Sequence, residues 1–236
     1  MGFIKEYHIW DALYVDHCEN FLRNPHREET AEEALLRLMQ RIDGVYENYF
    51  KSLIHEDVVF TGDITPSYAC LREPHFETIK RKLKGAGFSV KVVFLMRDPV
   101  ERNWSSLRMK QRNISARGIK ISNNELVSQF RSFYRQKKMV DRTRYDKTIA
   151  ALRGTFHEGD IYYGFYENLF SEKSVRQLSD FLGLDLTDAD VNERVNVSRP
   201  IPLSDAVYES CRKYFLDVYE YCYEEFPITK ELWPGK

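Results

Sequence analysis

Val90-Lys-Val-Val-Phe-Leu-Met-Arg-Asp-Pro-Val-Glu-Arg-Asn-Trp-Ser105 is the stretch that sets the fold class. Its first seven residues, 90–96, are a near-continuous apolar run, which a parallel strand covered on both faces requires. The next residues switch to helix-start chemistry. Asp98 is a good N-cap, Pro99 suits the first helical position, and Glu101 completes a capping box. A strand therefore runs straight into a helix, and the free N–H groups and dipole at that helix start favour an anion. Arg97 can fork onto phosphate oxygens, and Ser105 offers a hydroxyl from the helix that follows.

Outward from this point, strands alternate with helices. Residues 57–62 (Asp-Val-Val-Phe-Thr-Gly) read as a buried strand and 160–166 (Asp-Ile-Tyr-Tyr-Gly-Phe-Tyr) as a third. Helical patterning covers 9–22, 30–52, 74–84, 99–112, 123–140, 144–156, 172–182 and 204–226. Such alternation predicts an α/β chain with right-handed βαβ units and a parallel sheet. Sites on these sheets sit at the carboxyl ends of the strands, so the residues after Gly62, Met96 and Tyr166 matter most. After Gly62 comes Asp63-Ile-Thr-Pro-Ser-Tyr68, where Pro66 forces Thr65 out of the helical region. That turn brings Thr65, Ser67 and Tyr68 to the strand end.

The whole chain has 236 residues, 43% of them hydrophobic, enough for one sizeable core, and no internal repeat or low-complexity linker divides it. One domain over 1–236 is the simplest partition. No apolar run approaches the ~18 residues of a membrane span, and the start lacks the pattern of a secretory signal. The formal net charge is −1, but 14 Lys/Arg face 5 Asp/Glu between Arg97 and Lys147. One basic third in a neutral chain points to an anion site rather than to a general nucleic-acid coat. Arg108 to Lys120 carries five cations and no acid, which would suit an anionic acceptor or simply a solvated face. Four scattered cysteines read as reduced thiols in a cytoplasmic protein, and no His/Cys/acid set has zinc spacing.

Five segments together resemble one family. Residues 92–106 (VVFLMRDPVERNWSS) resemble the 3′-phosphate-binding segment of sulfotransferases, and GDITPSY (62–68) resembles that family's Thr/Ser-Pro-x-Tyr segment. TRYDKTIAALRGTF (143–156) is similar to its Arg-Tyr…Leu…Phe helix. IYYGFYENLFSEKSVRQLSDFLGL (161–184) is similar to its strand, Glu-(Asp/Asn)-Leu and Phe-Leu-Gly-Leu stretch. IKEYHIWD (4–11) resembles the Lys-Glu-x-His segment of the branch that holds heparan sulfotransferases and many bacterial enzymes.

The resemblance implies a three-layer, P-loop nucleotide-kinase-like fold and 3′-phosphoadenosine 5′-phosphosulfate (PAPS) as donor. It implies transfer to a hydroxyl acceptor, a glycan or a small molecule, without a metal. Arg97 and Ser105 match the residues that hold the donor's 3′-phosphate. Glu6 matches the proposed general base, with His8 as the competing base, and Thr65 and Tyr68 would line the donor or acceptor cleft. Sulfuryl transfer is like phosphoryl transfer in that positioning and electrostatics do most of the work. Two departures stand out. The family's Glu-Lys before Thr/Ser-Pro is Asp63-Ile64 here. Its Gly/Lys/Thr-rich 5′-phosphosulfate loop, which precedes Lys-Glu-x-His, has no counterpart after Met1. Loss of the first central strand with that loop would bare two sheet edges. The expectation is therefore a fragment, a misplaced gene start, or a gap filled by another segment. A non-catalytic relative that binds adenosine 3′,5′-bisphosphate is the alternative. A nucleotide kinase would need a Walker loop, which the sequence lacks.

Overall fold

The computed structural model describes residues 2–25, 28–119, 121–184 and 201–235. Lys120, the last cation of the basic band, lies outside them. In chain order the elements are α1 (Trp10–Tyr14), α2 (Ala31–Arg41), α3 (Val45–Ser52), α4 (Glu73–Gly85), β1 (Val92–Met96), α5 (Pro99–Ser115) and α6 (Asn123–Phe133). Then follow α7 (Lys137–Asp141), α8 (Tyr145–Thr155), β2 (Ile161–Phe165), α9 (Glu172–Leu182), α10 (Asp205–Tyr214), α11 (Leu216–Glu225) and α12 (Thr229–Leu232). Short 3₁₀ turns cover Asp16–Phe21, Pro66–Cys70 and Glu158–Asp160. The chain is mixed α/β. Its described residues fall into two compact units, 2–91 with 147–160, and 92–146 with 161–235.

The first unit is helical and aromatic. Tyr7, Trp10, Tyr46 and Phe50 are buried together, with ring centroids 5.0 Å apart for Tyr7–Phe50 and 5.2 Å for Trp10–Tyr46. The apolar stripe over 30–52 was expected to be one helix. It is two, because Gly44 adopts φ +81°, a left-handed conformation that breaks the ladder where Asp43-Gly44 offers it. Thr30 and Glu33 close a full capping box at the head of α2. Residues 57–62 do not form the expected strand. A single bridge joins His55 and Val58, and Val59 is 80% exposed. Val58 exchanges two backbone hydrogen bonds with His55, at 2.9 Å and 3.1 Å, in place of a ladder.

The second unit holds the sheet. β1 and β2 pair in parallel, with Val92 opposite Ile161 and Met96 opposite Phe165. The sheet described has these two strands only. Phe94 and Met96 point into a core with Tyr145, Phe165, Phe226 and Trp233, where the Phe165–Phe226 centroids are 5.5 Å apart. Side chains alternate along a strand, so Val93 and Leu95 take the other face and are 40% and 45% exposed. The continuous apolar run thus meets a one-sided core, not the two-sided burial it suggested. A Cβ at Gly164 would come within 2.6 Å of Leu95 Cδ2, so the Leu95 side chain would have to move to admit one. α5 packs on α6 through Trp104 and Phe130, centroids 5.2 Å apart. The final helical pattern, 204–226, is interrupted at Phe215, which has φ −108° and ψ 23° between α10 and α11. None of the four cysteines is joined in a disulfide among the described residues. Among the described residues, no helix is long and apolar enough to cross a membrane.

Candidate active site

The first unit brings the Lys-Glu-x-His segment and the Thr-Pro-Ser-Tyr turn together. His8 is the only non-glycine among the described residues with positive φ, at 53°. Its ring stacks on Phe21 with centroids 3.6 Å apart and planes 3° from parallel. Nδ1 lies 2.7 Å from Asp11 Oδ2, and Nε2 lies 3.4 Å from Glu6 Oε2. Asp11 is fully buried and also accepts a 2.5 Å bond from Ser67 Oγ. Burial alone would push the Asp11 carboxyl up. The hydrogen bonds from His8 and Ser67, with the His8 charge, outweigh it and hold the group below the usual carboxylate range. An ionised carboxylate only accepts, so the Nδ1 nitrogen carries the proton that faces it. That leaves Nε2 directed at Glu6, whose side chain is 44% exposed. Gln40 completes the frame, with Nε2 donating to His8 O at 2.9 Å and Phe21 O at 3.0 Å.

Beneath this pair, Thr65 and Tyr68 both give their hydroxyl protons to Asp63, at 2.6 Å and 2.7 Å. Thr65 is buried and Tyr68 half-buried. The sequence reading named Glu6, His8, Thr65 and Tyr68, and the fold draws all four into one cluster. It placed Ser67 at the strand end without a role, and it gave no role to Asp11 or Asp63. The one signal for Asp11 was its place three residues after His8 at the start of an apolar helix, a spacing that brings two side chains to one face.

In the second unit, Arg97 ends β1 and Ser105 stands one and a half turns into α5. The turn between them is fixed from several sides. Asp98 Oδ1 accepts the Glu101 N–H at 2.9 Å, as the N-cap pattern predicts. The reciprocal half of the capping box comes from elsewhere: Glu167 Oε1 accepts the Asp98 N–H at 2.8 Å. Glu101 instead turns its carboxylate towards Arg97, 3.6 Å away. Tyr145 donates its hydroxyl to Arg97 O at 2.8 Å, and Tyr219 donates to the buried Asp98 Oδ2 at 2.8 Å. Burial pushes the Asp98 carboxyl up, against the bonds from Glu101 N and Tyr219. The chain's own carboxylates thus take the N–H groups at the start of α5, and the capacity for an external anion passes to side chains.

Those side chains are cationic. The Arg97 guanidinium lies over the Tyr166 ring, 4.3 Å from its centroid. Burial lowers the affinity of Arg108 for its proton, Glu101 opposes this, and Arg97 and Arg112 reinforce it by repulsion. Positive charge from Arg97 and Arg112 bearing on Arg108 would suit a phosphate-type dianion, which takes forked hydrogen bonds from guanidinium groups. A concavity of about 460 Å³ beside Arg144 and Lys213 in the same unit includes none of the sequence-predicted site residues. No group of three or more His, Cys, Asp or Glu side chains is placed to hold a metal ion among the described residues. Comparisons with protein-family models, with curated proteins and with solved structures gave no significant match.

Proposed function

We propose that the protein is a sulfotransferase that carries a sulfuryl group from PAPS to a hydroxyl acceptor, a glycan or a small molecule, in the cytoplasm. On this reading β1 and β2 are the nucleus of a three-layer sheet of the sulfotransferase kind. The observation that carries the proposal is the His8 imidazole held between a buried Asp11 and a more exposed Glu6. Such a set suits the task of taking and holding a proton from a bound hydroxyl. The donor would supply an already activated sulfuryl group. The chain's own residues then have to bind, orient and accept one proton. Glu6 is the more accessible acceptor, and His8, locked by Asp11 and stacked on Phe21, steadies its carboxylate. Arg97, with Ser105, would grip the donor's 3′-phosphate, and Arg108 and Arg112 would add to the local positive field. Four cysteines outside any disulfide are in keeping with a reducing compartment.

The test is transfer of labelled sulfate from PAPS to a panel of glycan, phenol and alcohol acceptors. Glu6→Gln should cut turnover by roughly 10²–10⁴ while donor affinity holds. Full turnover in Glu6→Gln with loss in His8→Ala would move the base to His8. No transfer to any acceptor by the wild-type chain would refute the proposal.

A further inference from the structure

The left-handed backbone at His8 needs a cause, since a non-glycine residue holds φ +53° only where its surroundings impose it. The cause lies in where three hydroxyl protons go. Half-buried Asp63 accepts from Thr65 Oγ1 at 2.6 Å, from Tyr68 Oη at 2.7 Å and from Tyr46 Oη at 3.1 Å. No lysine or arginine pairs with it in these bonds. Each hydroxyl has one proton, and each spends it on the carboxylate. Their oxygens are then left with lone pairs only. Thr65 Oγ1 accepts from Tyr7 N at 3.1 Å and, more weakly, from His8 N at 3.5 Å. Tyr68 Oη accepts from Ile9 N at 3.3 Å. Ile64 N donates to Lys5 O at 3.1 Å and finishes the strap. Three consecutive N–H groups, at 7, 8 and 9, are therefore captured by two hydroxyls whose direction one carboxylate dictates.

We propose that Asp63 is a positioning residue for the Glu6–His8 pair, acting through Thr65 and Tyr68 on the backbone of residues 7–9. The functional side of this rests on the sulfotransferase reading above; the structural side does not. Asparagine at 63 has nearly the same shape but brings two N–H donors. At least one hydroxyl must then reverse its proton or lose its partner, and the backbone capture fails at that point. Valine at 65 removes the capturing oxygen and leaves the shape, whereas serine keeps the oxygen.

The experiment is native-state amide hydrogen exchange on the full chain, with ¹⁵N spectra of the His8 ring. In Asp63→Asn, the Tyr7, His8 and Ile9 amides should exchange at least tenfold faster than in wild type, with α4 amides unchanged. The His8 Nδ1–H signal, protected by Asp11 in the wild type, should exchange faster. Thr65→Val should reproduce the effect on the Tyr7 and His8 amides and on the His8 ring, with Ile9 still held by Tyr68, and Thr65→Ser should show neither. Should Asp63→Asn fail to fold, Thr65→Val and Tyr68→Phe carry the same test. Exchange at residues 7–9 within twofold of wild type in the folded variants overturns the proposal. In the transfer assay, Asp63→Asn should lower kcat at least tenfold with little change in the KM for PAPS. Faster exchange together with a wild-type chain that transfers nothing would leave the positioning role intact and remove the sulfotransferase reading.

Discussion

Replacing Asp11 by asparagine tests the centre of the first unit. The Asp11 carboxylate accepts from His8 Nδ1 at 2.7 Å and from Ser67 Oγ at 2.5 Å, and no part of it reaches solvent. Hydrogen bonds to a charged group contribute about 1.5–3 kcal/mol each. Both bonds fall on Oδ2, so asparagine can keep a carbonyl oxygen there, and its NH₂ group then replaces the buried, unpartnered Oδ1. Two charge-assisted bonds become neutral ones and two buried donors go unpaired, so the loss should be about 2–4 kcal/mol. At an m-value of about 2 kcal/mol/M, the urea midpoint falls by about 1–2 M. The pH dependence has a definite sign. Asp11 titrates below the ordinary aspartate value in the folded chain. Its contribution is complete above the unfolded value of about 3.9 and fades as pH falls through the folded one. The gap between wild type and Asp11→Asn should therefore be widest near neutral pH and close in acid. Urea melts followed by Trp fluorescence and circular dichroism at pH 7 and near pH 3 read both quantities. A variant as stable as wild type at pH 7, or a gap that does not narrow in acid, would refute the pairing. In the transfer assay the same variant should lose roughly 10²–10⁴ in turnover, because the His8 ring that steadies the Glu6 base has lost its anchor.

Two further variants probe the second unit. Tyr219→Phe removes the donor to buried Asp98 Oδ2 and should lower stability by about 1–3 kcal/mol, seen as a drop in Tm. A Tm equal to wild type would show that the Tyr219–Asp98 bond contributes nothing. Gly164→Ala places a Cβ within 2.6 Å of Leu95 Cδ2 and 2.9 Å of Tyr162 Cε1, so both side chains must move. The Leu95 methyl signals should shift from their wild-type positions, and unchanged signals would contradict the register.

Much of the architecture was legible in the sequence for identifiable reasons. The β1 and β2 stretches are short apolar runs bounded by turn signals, and both form, in parallel. Asp98-Pro99 marked the start of α5, and Gly183 the end of α9. What failed were the lengths and the partners. An apolar stripe survives a left-handed glycine or a kink, so 30–52 and 204–226 each read as one helix and are two. A run such as Val58-Val59-Phe60 reads as a strand whether or not a neighbour exists to pair with it, and here Val59 faces water. In the site, Glu6, His8, Arg97 and Ser105 sit in short motifs and could be named. Asp63 and Ser67 act through bonds to Thr65, Tyr68 and Asp11, and Glu167 caps a helix whose start lies 69 residues before it. Such partnerships depend on tertiary placement, and no local spacing encodes them.

The donor assignment is tested most directly by calorimetric titration of adenosine 3′,5′-bisphosphate into the wild-type chain and into Arg97→Ala. The account predicts saturable binding by wild type and affinity at least tenfold weaker in the variant, because a charge-assisted fork has gone. Equal affinities, or no heat of binding with wild type, would contradict it.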